Sequence, residues 1–404
     1  MPAPVRIFIS AGEASGDAYG TSLIGALRAR LGSADFFGCG GDRMRAAGCR
    51  TLVDAHQISM VGLVEVIPGI QRAWNALRSL RQAIDRERPH LAILIDFPDF
   101  NLRLAKHLKR AGVPVLYFVA PQVWAWRRWR VRAIRNSVDR LLCIFPFEEA
   151  FFREAGVHVE FVGHPLVGRV RASLTAEEFR IRFAMPHEGT LIALLPGSRE
   201  KEISLNLPPM LEAARLLAAE RKCSFVLPAA STVTGGWLRD QAAPAQLPLF
   251  VVENATYDAV AHSQAAIVAS GTASTETALL GTPMVIVYRV RGSSWMLGRW
   301  LVHTPYFSMV NLVAGREIVP ELIQDRFQAQ TVAQEVRRLL DNPELRQTMK
   351  VNLRKFANRL QRMPSSGEIS GESGGPAQRE IIDPIQRAAA IAESMLVRAA
   401  DRHS

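Results

Sequence analysis

Two carboxylates, Asp96 and Asp99, stand either side of Pro98 in the stretch LAILIDFPDFNL (91–102), where an apolar run ends. A carboxylate held there can take a proton from an attacking hydroxyl, or it can cap the next helix by accepting orphan backbone N–H bonds. Asp99 suits the cap, because residues 100–107 continue with helical spacing and Pro98 disfavours helical geometry at Phe97. Asp96 follows Leu91–Ile95, at the end of a strand where open parallel sheets place their ligand crevice. A catalytic and a structural role both fit it.

Three strand-to-helix turns carry further candidates. In FISAGEASGDAYG (8–20), Gly12, Gly16 and Gly20 lie four apart, a spacing that either packs a helix closely on a sheet or lets a ligand approach the backbone. Glu13 and Asp17 would repel a phosphate there, so sugar hydroxyls or an incoming acceptor fit better. In LIALLPGSREKEI (191–203), Pro196, Gly197 and Ser198 lead to Arg199 at a helix start. The orphan N–H groups and the guanidinium suit a phosphate, whereas an ordinary ion pair to a Glu is the bland alternative. In AAIVASGTASTETALLGTPMV (265–285), Ser270, Gly271, Thr272 and Ser274 gather donors at another helix start. Glu276, one turn on, could hold the two hydroxyls of a ribose or simply complement the helix dipole. Neither the dinucleotide fingerprint nor a Walker A sequence is present. These turns suggest a nucleotide diphosphate on the second half of the chain and carboxylates offered to a partner molecule by the first, with Asp96 facing the nucleotide across a cleft.

The segment PQVWAWRRWRVRAIR (121–135) interleaves Trp124, Trp126 and Trp129 with Arg127, Arg128, Arg130, Arg132 and Arg135. Such a pattern can stack on single-stranded nucleic acid, lie on an anionic membrane, or pack its Trp side chains inward with Arg in solvent. Across 404 residues, 49 Lys and Arg against 38 Asp and Glu give a formal charge of +11, which favours an anionic partner without choosing among nucleic acid, acidic lipid and phosphorylated substrate. The four scattered cysteines fit neither a disulfide framework nor a zinc ribbon, so a reducing cytoplasm is expected. No H-E-x-x-H occurs and no G-x-S-x-G elbow between a strand and a helix appears, which removes support for a zinc protease or a serine hydrolase. The N-terminus lacks an export signal pattern, and the most apolar window, 112–126, is short and broken by Pro114 and Pro121, so no transmembrane helix is expected.

The elements that must position these residues form two series. Apolar runs at Val5–Ser10, Leu91–Ile95, Val113–Val119, Arg140–Phe145 and Val157–Val162 precede a second set at Leu191–Leu195, Cys223–Leu227, Leu249–Val252, Ala265–Ala269 and Met284–Tyr288. Strands separated by helices of this length predict parallel βαβ units, and two series predict an α/β protein of two doubly wound, Rossmann-like domains. The hinge is expected near GHPLVGRV (163–170), giving domains at 1–165 and 166–362. Helices are expected at Ala333–Leu340 and Pro343–Leu360. MPSSGEISGESGGPAQ (363–378) reads as a flexible linker, and a last helix, about Pro384–Ala400 within 379–404, could dock on either domain or on another subunit.

In order along nearly the whole chain, AGEASGD, GLVEV, IDFPDFNLRLAK, PQVWAWR, PFE, FVGHPL, LLPGSR, ASGTASTE, PMVIVYR and NLVAGREIVPE resemble the motifs of the lipid-A-disaccharide synthases. The resemblance implies a GT-B fold and an inverting, UDP-sugar-dependent glycosyltransferase of lipid A biosynthesis. It would join UDP-2,3-diacylglucosamine to 2,3-diacylglucosamine 1-phosphate (lipid X) through a β-1′,6 linkage and release UDP, with no cofactor and no metal. By the same resemblance Asp96 matches the proposed general base, and Glu13 and Ser15 match the N-terminal cleft motif. Gly197, Ser198, Arg199, Ser270, Gly271, Thr272, Glu276 and Asn311 fall on the UDP side. Ala120 departs from the family, whose members often have serine before the proline, and 363–378 looks like an insertion. With lipid substrates, the Trp/Arg segment (Trp124, Trp126, Arg127, Arg128, Trp129, Arg130) is expected to contact lipid or the anionic inner face of the inner membrane. The expected protein is then cytoplasmic and peripheral, a possible homodimer, and not a nucleic-acid binder. The rival expectations are a non-hydrolysing sugar epimerase of the same fold and a non-enzymatic nucleic-acid-binding protein.

Overall fold

Leu91–Ile95 is buried at every position, as a strand must be when helices cover both faces of a parallel sheet. In the computed structural model, which describes residues 4–59, 66–126, 129–230, 232–289, 304–361 and 382–401, such strands build two sheets in two units. The first unit is Met1–Pro165 with Leu360–Ser404, and the second is Leu166–Arg359.

The first sheet contains β1 (Val5–Ala11), β2 (Ala34–Gly40), β3 (Arg50–Asp54), β4 (Leu91–Ile95), β5 (Val115–Phe118), β6 (Arg140–Cys143) and β7 (Val159–Phe161). Their order is β3-β2-β1-β4-β5-β6-β7, every pair parallel. The second sheet contains β8 (Thr190–Leu195), β9 (Cys223–Ala229), β10 (Leu249–Glu253), β11 (Ala265–Ala269), β12 (Met284–Tyr288) and β13 (Glu321–Ile323). It runs β10-β9-β8-β11-β12-β13, again all parallel. Both are doubly wound sheets whose order reverses between the first strand and the fourth, at β1/β4 and at β8/β11.

All ten expected strands are present, and three more appear. β2 reads ADFFGCG, where three glycine-weakened or polar positions hide the alternation, while β3 and β13 are too short to carry a period. β2 also shifts register against β3 between Gly38 and Cys39. At that irregularity Gly38 has φ +150°, and a Cβ there would lie 2.0 Å from the Ile9 carbonyl oxygen.

The last helix, Pro384–Asp401, packs on Ala14–Leu31 in the first unit. Its buried Ile385, Ala388, Ala389 and Ala392 face that contact, flanked by ion pairs from Arg30 to Glu393 at 2.9 Å and from Arg387 to Glu160 at 2.7 Å. The 363–378 stretch lies outside the described residues. No helix among the described residues is long and apolar enough to cross a membrane.

Gly38→Ala is expected to destabilise the first unit by roughly 2–4 kcal/mol, since both the backbone region and the Ile9 carbonyl oppose a methyl group. Denaturant unfolding monitored against wild type checks this.

Candidate active site

The switch point of the first sheet is where the sequence places its carboxylates. Ala11 of β1 is in register with Ile95 of β4, so Gly12 and Glu13 leave the sheet beside Asp96. Asp96 and Phe97 both adopt left-handed backbone, with φ 46° and φ 51°. Two consecutive non-glycine residues there are strained, at a cost of order 1–3 kcal/mol each, and persist only where the surroundings impose them. The imposing group is Asn101, fully buried on the first turns of the helix Pro98–Arg110. Its Nδ2 donates to the carbonyls of Asp96 at 2.8 Å and Ile95 at 3.1 Å, while its Oδ1 accepts from Ser10 Oγ at 2.7 Å. Tyr117 of β5 donates its hydroxyl to the Asp96 carbonyl at 2.6 Å. The turn throws the Phe97 ring over Gly12, where an added Cβ would come within 2.3 Å of the ring.

The glycine strip at 12, 16 and 20 therefore serves packing and not ligand approach: Gly16 lies on Ala11 and Ile95, and Gly20 on Met44. Asp17 is engaged as well, accepting backbone N–H bonds from Gly41, Arg43 and Met44. Glu13 and Ser15 stay half-buried at the start of Ala14–Leu31. Burial, reinforced by the Glu13 charge and opposed by the Phe97 N–H, pushes the Asp96 carboxyl up from the ordinary 3.8 to about 6.

Asp99 departs from its expected role. The helix begins at Pro98 with Phe97 as its N-cap and no side-chain cap bond, so Asp99 lies inside the first turn and pairs with Arg130. That pairing leaves the Arg130 side chain only 13% exposed, with its guanidinium 5.4 Å over the Trp129 ring. Trp124 likewise turns inward: its Nε1 donates to Glu148 Oε1 at 3.1 Å and its ring meets Phe147 edge-on at 4.9 Å. The tryptophans thus divide, since Trp129 remains 73% exposed. Arg127 and Arg128 lie outside the described residues, as does the side chain of Trp126. Glu148 is 1% exposed, and burial drives its carboxyl up to about 8 against the pull of the Trp124 and backbone donors. Neither Glu148 nor Asn101 was singled out from the sequence. A carboxylate three residues after the Phe145-Pro146 helix start and an amide two residues after Asp99 were the available signals.

In the second unit, Leu195 of β8 and Val268 of β11 are in register, so the Pro196–Arg199 and Ser270–Thr272 turns leave neighbouring strands at the same edge. Gly197 needs its φ of +133° to make the first turn. Buried Asn206 braces it, donating to the Pro196 carbonyl at 2.9 Å and accepting from Arg289 N at 3.1 Å. Ser198 and Arg199 are exposed, and the Glu202 carboxylate accepts from both, from Ser198 N and from Arg199 Nη1, each at 3.2 Å. Glu202 takes the donors that a diphosphate would use. Gly271 is the N-cap of Thr272–Leu279, with no side-chain cap bond, and Gly271 and Thr272 are exposed beside half-buried Ser270. Ser274 instead returns its hydroxyl to the Gly271 carbonyl at 2.7 Å. Glu276 receives the Tyr257 hydroxyl at 3.0 Å, and burial raises its carboxyl above the ordinary glutamate range.

Asn311 does not fit as a nucleotide contact. It is fully buried; both its N–H donors are used, by the Val319 carbonyl and Glu321, and both oxygen lone pairs by Ile318 N and Val319 N. It holds the loop between Ser308 and Glu321.

A family model described as lipid-A-disaccharide synthetase matches residues 7–368. The chain is 45% identical to the lipid-A-disaccharide synthase of Solibacter usitatus over 92% of its length and 95% of the relative's. It is also 45% identical to that of Myxococcus xanthus, over 89% and 94%. Solved structures share the fold at low identity. The UDP-GlcNAc 2-epimerase of Neisseria meningitidis bound to UDP-GlcNAc has TM-score 0.57 at 11% identity, covering 97% of this chain and 100% of that one. The calicheamicin glycosyltransferase has TM-score 0.57 at 14%, covering 98% and 99%. The two doubly wound sheets are those of the GT-B fold, and the chain belongs to the lipid-A-disaccharide synthase family of glycosyltransferases.

Proposed function

We propose that this enzyme transfers the 2,3-diacylglucosamine group of its UDP derivative to the 6-hydroxyl of 2,3-diacylglucosamine 1-phosphate, with inversion, Asp96 acting as general base. The observation that carries the proposal is Asp96 itself: a carboxylate held at a sheet switch point by a strained, fully braced turn, with its pKa raised to about 6. A base with a pKa near the working pH is ionised enough to act and basic enough to accept the hydroxyl proton as the bond forms. Inversion requires attack opposite the departing UDP, so the proton acceptor and the leaving-group stabilisers must be separate groups. The second unit supplies the latter. Arg199 and the unshared N–H groups at Gly271–Thr272 meet the charge that grows on the diphosphate, so the chemistry calls for no cofactor. Glu276, positioned by Tyr257, is the candidate for the ribose hydroxyls. Glu13 holds up the Asp96 pKa without itself needing to touch the reacting hydroxyl.

Four outcomes test this. In detergent micelles containing both lipid substrates, Asp96→Asn should lower disaccharide formation roughly 10²–10⁴-fold while UDP binding persists, and Asp99→Asn should stay within a few-fold of wild type. The rate of the wild type should fall on acidification through about pH 6, where Asp96 takes up a proton. The same shift makes a stability prediction. Because the folded pKa lies above the ordinary 3.8, folding favours the protonated form, and the ionised form is penalised at higher pH. Asp96→Asn should therefore melt above wild type in mildly alkaline buffer, the difference shrinking as pH falls through about 6 towards the ordinary value. Finally, Glu202→Gln should bind UDP roughly threefold to fivefold more tightly by calorimetry, since a like charge leaves the diphosphate position, whereas Arg199→Ala should weaken it. Unchanged UDP affinity in both variants would place the diphosphate elsewhere.

A further inference from the structure

Glu148 is a buried ionisable group of the first unit that the transfer chemistry leaves without a task. It is the third residue of its helix, Pro146–Glu154, and its Oε2 accepts from Phe145 N at 3.2 Å, an ordinary capping-box bond. A capping glutamate can make that bond from the surface. Here the side chain is buried, and its other oxygen accepts the indole N–H of Trp124 at 3.1 Å. Burying a carboxyl costs stability that an apolar residue would not lose, so the cap alone does not account for Glu148.

The Trp124 end of the bond leads back to Asp96. Ile95 of β4, Phe118 of β5 and Leu142 of β6 are in register, so Asp96, Trp124 and Glu148 all follow strands that end at one edge of the sheet. The Asp96 backbone is held from β5 on both sides: its N–H donates to the Phe118 carbonyl at 3.0 Å, and its carbonyl accepts the Tyr117 hydroxyl at 2.6 Å. Directly after Phe118 the chain turns at Val119, a β-branched residue with φ 66°. A β-branched residue keeps left-handed backbone only where the chain on either side of it is fixed. β5 fixes one side. The other is the stretch 120–124, with Ala120 and Val123 buried and the Trp124 ring edge-on to Phe147. Ring packing tolerates sliding, whereas a directional N–H bond to Glu148 sets where the indole stops.

On the reading of Asp96 as general base, we propose that Glu148 and Trp124 are positioning residues for it: their hydrogen bond locks the 119–124 turn, and the turn holds the Phe118 carbonyl and the Tyr117 hydroxyl against the Asp96 backbone. Asn101 braces Asp96 from its own helix, and this second brace comes from the neighbouring strand. Without it the carboxyl gains freedom to swing towards water, away from the burial that raises its pKa. The groups around it act in different ways. Glu13 raises Asp96 by its charge, Tyr117 stays neutral because burial raises its hydroxyl, and burial keeps Glu148 protonated below about pH 8. At the pH where Asp96 titrates, Glu148 therefore acts through its hydrogen bonds and not through charge.

The test is Trp124→Phe in the full chain, which keeps an aromatic ring and removes the N–H donor. Its kcat for disaccharide formation should fall about tenfold while the KM for the UDP-sugar stays within about twofold. The acid limb of its pH–rate profile should move from about 6 towards the ordinary 3.8, and hydrogen exchange at the Asp96 amide, followed by mass spectrometry of peptides covering 95–100, should quicken. Glu148→Gln can still accept the indole N–H through its amide oxygen, so it should lie between wild type and Trp124→Phe; it also guards against a packing artefact of the smaller ring. The double variant should be no slower than Trp124→Phe, because both changes remove one bond. An acid limb and an Asp96 exchange rate unchanged in Trp124→Phe overturn the proposal whatever happens to kcat. A rise confined to the KM of the lipid acceptor, with the limb in place, also overturns it and makes Trp124 a substrate contact. If Asp96→Asn turns over like wild type, the base reading fails instead, and the exchange rate in Trp124→Phe still decides whether the brace exists.

Discussion

The site depends on a side-chain amide satisfying backbone groups that a sheet cannot. Where a buried parallel strand ends, its last carbonyls and the N–H groups of the following turn lose their ladder partners while still out of reach of water, and leaving them unpaired costs on the order of 1–3 kcal/mol each. Asn101 answers this at β4, binding the carbonyls of Ile95 and Asp96 and thereby fixing the left-handed pair at 96–97. With only hydrophobic packing the turn could relax to ordinary backbone angles, and the Asp96 carboxylate would leave the position it holds beside Glu13.

The second unit uses the same device twice. Asn206 joins the Pro196 carbonyl at the end of β8 to Arg289 N after β12, and Asn311 ties Ile318 and Val319 to Glu321. All three asparagines are fully buried. An amide suits the task because it donates and accepts at once and carries no charge, whereas an aspartate could only accept and would bring a desolvation cost. Asp96 and Glu276 have burial-raised pKa values, while Arg199 and the Gly271–Thr272 turn stay open to water at the edge of the sheet.

Charge distribution separates the two units in character. The first gathers carboxylates whose ionisation is opposed, Asp96 by burial and Glu13, Glu148 by burial alone in the main. Asp96, raised to about 6, stays largely ionised at neutral pH, whereas Glu148, raised to about 8, holds its proton there. The second presents donors, with Glu202 engaging Ser198 and Arg199.

The sequence by itself determined the fold class and the location of the candidate groups. Apolar runs of strand length separated by helix-length segments leave few topologies, and chemistry in such sheets must sit at strand carboxyl ends, so Asp96, Arg199, Ser270 and Glu276 were legible from position alone. β2, β3 and β13 were not, because strands that are short or interrupted by glycine carry no period and are held by their neighbours in the sheet. Only the tertiary structure decided which members of a motif face inward. One-dimensional spacing gave Trp124 and Trp129 the same standing, and Asp99 the look of a cap. Partners distant in sequence, Glu148 for Trp124 and Arg130 for Asp99, turned them to other uses. Asn311 sits in a conspicuous motif for the same reason that it is hidden: its four hydrogen-bonding positions are filled by residues that come within reach only when the chain is folded.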